Sequence, residues 1–122
     1  MKPTDEQIKK FWEWCGFKIQ KRYEDLPRGR VTLLDYVSPI GEILGDYPPI
    51  DLNNLFEYAG PKLLDEGWDI MISCNQEFKT WDVELSHPTK QAILEQETIL
   101  VNALFWAIYS LWEVIHKGND ET

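Results

Sequence analysis

The side chains of this 122-residue chain that could carry chemistry are two histidines, two cysteines and 21 carboxylates. His87, in His87-Pro88, could serve as a base or a metal ligand, but neither it nor His116 belongs to an HExxH, and no Cys or His recurs at metal-ligand spacing. A lone loop histidine is expected to be solvated, and His116 to complement the negative end of the last helix. Cys15 and Cys74 form no CxxC. Their apolar neighbours (Trp14, Phe17; Ile72) predict buried free thiols. Asp82 with Glu84, or Glu95 with Glu97, could do acid–base work, yet in so acidic a chain such spacings arise by chance. Gly41 and Gly45 have no Lys-Ser/Thr behind them, and neither GxGxxG nor GxSxG occurs. No catalytic or metal-binding residue, and no cofactor, is expected.

Charge is more informative. The net charge is -9 and the pI about 4.6, which argues against a partner held mainly through phosphates and so against direct DNA or RNA binding. The charge is uneven: residues 1–40 carry 8 basic and 6 acidic side chains, residues 41–122 carry 4 and 15. Lys18, Lys21, Arg22, Arg28 and Arg30 gather on the first hairpin. Arg22, Arg28 and Arg30 there form either an anion site or a cationic guard on an edge strand. Glu57, Asp65, Glu66, Asp69, Glu77, Asp82 and Glu84 lie on the second helix and second hairpin, a negative surface able to occupy a basic groove or simply to keep the protein in solution.

The elements that position these groups follow from periodicity. Thr4 and Gln7 have capping-box spacing before a helix to Trp14, with Ile8, Phe11, Trp12 and Cys15 on one stripe and Gly16 ending it. Residues 17–23 alternate as a half-buried strand, 24–30 read as a hairpin loop, and 31–37 as a strand covered on both faces. Residues 38–50 hold three prolines and two glycines and read as a loop. Asp51 caps a second helix over 52–66, in which Gly60-Pro61 predicts a kink and Gly67 the C-cap. Strands follow at 68–74 and 78–85. Residues 86–96 are ambiguous, and a last helix runs over 97–116, with a polar tail at 119–122 after a single domain at 1–118. The order α-β-β-α-β-β-α predicts an α+β fold, a three-layer α/β/α sandwich with three helices around a mostly antiparallel four-stranded sheet.

The last helix is apolar around most of its girth. Leu100, Ala103, Leu104, Ala107, Leu111, Val114 and Ile115 form one stripe; Val101, Phe105, Ile108 and Trp112 form a second. The second stripe is covered either by the N-terminal helix, with Trp12 and Trp14, or by another subunit, and Phe105 and Trp112 are the first candidates for a partner surface in a homodimer. The most apolar stretch, 99–115, is too short and too polar to span a membrane. With no apolar leader at the start, the expected location is cytoplasmic.

The run Asn53-Asn54-Leu55-Phe56-Glu57-Tyr58-Ala59-Gly60-Pro61-Lys62-Leu63-Leu64, followed by Gly67-Trp68, resembles the signature of the phage ABA-sandwich domain family. Phe11-Trp12-Glu13-Trp14-Cys15-Gly16-Phe17 and Ala103-Leu104-Phe105-Trp106-Ala107-Ile108 extend the resemblance over most of the chain. It implies a three-layer sandwich from a phage, prophage or bacterial host, and supplies no activity. Tyr58, beside the proline of the second helix, is a candidate pocket wall. The expected function is that of a non-enzymatic accessory protein acting on a protein partner, in its sharpest form an acidic inhibitor of a host defence system. The alternative is an oligomer that sequesters a small nucleotide signal, with the hairpin arginines on the phosphates.

Overall fold

The computed structural model describes residues 2–120, with side chains described through 115. Helix α1 (Asp5–Cys15) starts on the expected capping box: the Gln7 N–H donates to the Thr4 hydroxyl while the Gln7 amide oxygen accepts from the Thr4 N–H. Gly16 ends the helix at φ 109°, where a side chain would be strained. Strands β1 (Lys18–Leu26) and β2 (Gly29–Val37) form one long hairpin in unbroken register from Lys18↔Val37 to Leu26↔Gly29. Pro27 cannot take the positive φ that favoured two-residue hairpin turns need, and Gly29 takes φ 129° instead.

Strand β3 (Ile43–Leu44) adds to the far side of β2, giving the order β1-β2-β3. The helical run over 52–65 comprises α2 (Leu52–Asn54), a π-helical turn (Leu55–Ala59) and α3 (Gly60–Asp65). Asp51 caps it by accepting from the Asn54 N–H at 2.8 Å. Strands β4 (Asp69–Asn75), β5 (Thr80–Ser86) and β6 (Ile93–Glu97) form a second antiparallel sheet in that order, and α4 (Leu100–Asp120) packs over β5 and β6.

The class is α+β with antiparallel sheets and three helical runs, as expected. The single four-stranded sheet is not found. Each hairpin recruits its own third strand, β3 from the proline-rich loop and β6 from the ambiguous segment, so the hairpins do not pair with each other. Two further expectations change. Strand β2 is not covered on both faces: Val31 and Leu34 are exposed, as is every residue of β1. Helix α4 runs to Asp120, past the expected end at 116; residues 121 and 122, and the His116 side chain, lie outside the described residues.

The core lies where α1, the helical run and α4 meet the inner face of β5. Phe11, Trp12, Phe17, Leu55, Leu63, Trp68, Val83, Leu85, Leu104 and Phe105 are fully or nearly fully buried. Its aromatics meet edge to face or tilted, with ring centroids 4.8 Å apart for Phe11–Phe105, 5.3 Å for Trp12–Phe17 and 5.1 Å for Phe17–Tyr58. The Trp12 indole N–H donates to the Pro48 carbonyl at 3.0 Å, tying the proline loop to this cluster. None of the six tryptophans is exposed.

Candidate functional site

The polar groups singled out by type, His116 aside, can be placed. His87 Nδ1 accepts from the Thr89 N–H at 3.1 Å, which leaves Nε2 to donate to the Glu66 carbonyl, also at 3.1 Å. With both ring nitrogens engaged and the ring 5.0 Å from Trp68, this histidine is a strut between the end of β5 and the end of α3. Cys15 is buried and free, as expected, but Cys74 is free and exposed, because it lies near the end of β4 beyond the cover of α4. Glu95 is on the helix-facing side of β6 and accepts from the Ser110 hydroxyl at 3.2 Å; Asp82, on the opposite face, accepts from the Gln96 amide at 2.9 Å. Among the described residues no three His, Cys, Asp or Glu converge as metal ligands would.

The groups with displaced pKa values are displaced towards their resting proton states. Burial pushes the Cys15 thiol far up, and pushes up the phenols of Tyr47, Tyr58 and Tyr109. Arg22 is raised by its hydrogen bonds to Asp35 and Glu24.

The proposed anion site on the first hairpin is largely neutralised from within. Arg22 pairs with Glu24 at 2.7 Å and Asp35 at 3.2 Å, and Arg30 pairs with Asp25 at 3.0 Å while lying over the Tyr23 ring. Arg28 sits alone of the three in the turn, so the three guanidinium groups do not form one cradle.

The second stripe of α4 is covered within the chain. Phe105 and Ile108 are 0% and 1% exposed, Phe105 against Phe11 of α1, and Val101 and Trp112 are half-buried. Phe105 and Ile108 therefore present no exposed surface in the single chain, and Phe105 packs on α1, the first of the two coverings expected. Tyr58 is buried beside the π-helical turn and, with Cys15, Pro39, Pro61, Lys62, Asp65 and Glu66, lines a cleft of about 360 Å³.

The acidic half of the chain does form a site that sequence reasoning did not resolve. Phe56, Gly60, Pro61 and Leu64 on the helical run face Asp69, Ile70 and Met71 of β4 and Ser86 across a groove of about 620 Å³. Phe56, Leu64 (65% exposed) and Met71 (60% exposed) are large apolar side chains left open to solvent around it. From Met71 the apolar line crosses the outer face of the sheet, since Met71 is opposite Glu84 and Glu84 opposite the exposed Leu94. Asp69 and Glu84 stand within this line; Glu57 and Asp65 are exposed next to Phe56 and Leu64 in the chain.

The local sequence explains the groove. Pro61 has no N–H, and the chain answers by widening one turn before it, so that the Gly60 N–H reaches the Leu55 carbonyl, five residues back. Beyond that turn, in α3, Leu63 is buried and the adjacent Leu64 faces outward. A signal was present in the sequence: Phe56 and Leu64 directly follow the apolar Leu55 and Leu63, and a helix face that buries one of such a pair leaves the other near its edge.

No family model, curated protein or solved structure matches the chain.

Proposed function

We infer that this is a non-enzymatic binding protein that engages a basic protein partner through the groove between α3 and β4. One observation carries the reading. Phe56, Leu64 and Met71 are exposed together around one concavity that Asp69 also lines, with Glu84 opposite Met71, in a chain of net charge -9. Exposed apolar side chains grouped in this way mark interaction surfaces. The surrounding carboxylates select for lysine and arginine and speed encounter at low ionic strength. In the cytoplasm of a bacterial host of a phage or prophage, the setting that the sequence resemblance implies, the partner class is a host protein with a basic face, such as a component of a defence system. Two of the three hairpin arginines, Arg22 and Arg30, are bound to neighbouring carboxylates, which gives the nucleotide-sequestering alternative no comparable support.

The test is site-specific photo-crosslinking in host cells, with the crosslinking residue placed at Leu64 or at Lys90, an exposed residue of the β5–β6 loop that does not line the groove. The expected result is a discrete protein adduct at position 64 that disappears when Met71→Glu is added, and no such adduct at position 90. Equal labelling at both positions, or labelling unaffected by Met71→Glu, contradicts the reading.

A further inference from the structure

The β1–β2 hairpin is the second unusual surface, independent of the groove. All nine residues of β1 are exposed, and β1 is the edge of its sheet. Alternate residues of an edge strand point their backbone N–H and C=O groups away from the sheet, which is a template for another strand. Edge strands are usually guarded by charges of one sign, which repel a second copy of themselves. Strand β1 is not guarded in this way. Its charges come in two blocks, Lys18, Lys21 and Arg22 followed by Glu24 and Asp25. A strand that is positive first and negative second opposes unlike charges when laid antiparallel against its own copy.

We propose that β1 pairs antiparallel with β1 of a second copy, on a two-fold axis passing through Tyr23, joining the two three-stranded sheets into one.

The register follows from geometry. Two antiparallel strands related by a two-fold axis perpendicular to their sheet keep the same faces up, so each axis must pass through a residue that opposes itself. An axis at Lys21, Arg22, Glu24 or Asp25 sets that charge against its own copy. An axis at Gln20 sets Arg22 against Lys18. An axis at Tyr23 instead opposes Arg22 to Glu24 and Lys21 to Asp25, twice each by symmetry, and Gln20 to Leu26. Among residues 20–25 it is the one centre that opposes no like charges. The Tyr23 rings, 58% exposed in the single chain, then adjoin across the axis, on the face where Leu34 is also exposed. The Arg22–Glu24 ion pair within each strand becomes part of a four-membered network across the axis. The paired span ends at 20 and 26, where the turn at Pro27 and Arg28 begins.

The test uses the full chain in sedimentation equilibrium, from micromolar to sub-millimolar concentration, with Lys21→Glu, Asp25→Lys and their mixture. The wild type is expected to be a dimer. In each variant alone two like-charge oppositions appear, and dimerisation should weaken on the order of tenfold or more. In the equimolar mixture every opposition at these positions is again between unlike charges, and dimer should return as the heterodimer. Wild type that stays monomeric throughout overturns the proposal. So do variants that dimerise like wild type, which would place the interface elsewhere, and a mixture no better than its components. Hydrogen exchange on the wild type alone is an independent check: edge-facing amides of β1 should gain protection as concentration rises, and constant protection in a concentration series counts against the pairing.

Discussion

The Cys15 thiol lies in the core beside Phe11 and Trp12, and burial pushes its pKa far above the ordinary thiol range; the charge of Lys62 pulls the other way and is the smaller effect. Thiolate is the reactive form, so Cys15 should be inert in the native protein and Cys74, exposed at the end of β4, should react. Iodoacetamide labelling read by intact mass should therefore add one group under native conditions and two in denaturant. Tyr47 is also governed by burial, with Glu13 and Tyr36 adding to the effect, and its phenol is pushed up to about 12. An unfolded tyrosine titrates near ~10. The unfolded chain therefore loses this proton first, and the stability that Tyr47 contributes is fully present below that pH and lost as pH rises through about 12. Urea unfolding across this alkaline window should show stability falling with pH, with a shallower fall in Tyr47→Phe. At this scale much was legible: Thr4, Gln7, Gly16, Asp51 and Gly67 act as their types and positions suggest, because caps are local devices. The exposure of Cys74 was not legible, because it depends on where α4 stops covering the sheet.

At the scale of elements, periodicity located every helix and both hairpins, and missed what tertiary pairing decides. Strand β6 was hidden because Glu95 and Glu97 occupy the positions aligned with Val83 and Trp81 on the helix-facing side, where alternation would ask for apolar residues. The Ser110 hydroxyl satisfies Glu95 there, a partner fifteen residues on that no window shows. At Gly60-Pro61, where a kink was expected, the chain forms a π-helical turn that leads directly into α3. Hairpin strands β1 and β2 are longer than expected, since residues 24–26 and 29–30 remain paired up to the two-residue turn. The junction of α3 with β4 yields a prediction of its own. Gly67 has φ 88°, and a Cβ there would lie 3.2 Å from His87 Nε2, the atom that ties β5 to α3. Gly67→Ala should destabilise the protein by about 1–3 kcal/mol in urea unfolding, combining left-handed strain with displacement of the histidine.

At the scale of the whole molecule, the uneven charge of the sequence acquires a spatial meaning. The positive excess of residues 1–40 does not form a free cationic patch, because Arg22 and Arg30 are spent on carboxylates of their own hairpin. The acidic remainder contributes Asp69 to the lining of an apolar groove, and no helix among the described residues is long and apolar enough to cross a membrane. The sequence showed the acids but not the groove, since Leu64 and Met71 are brought together by the turn at Gly67. The central claim is that this groove binds a basic, partly apolar protein segment. An NMR titration with an amphipathic peptide of lysine and leucine tests it most directly, using a glutamate-for-lysine peptide as control. The account predicts saturable shifts at Phe56, Leu64 and Met71 with the basic peptide only, weakening as salt is raised and abolished by Leu64→Asp. Absence of shifts in the groove, or equal shifts with the acidic peptide, would contradict it.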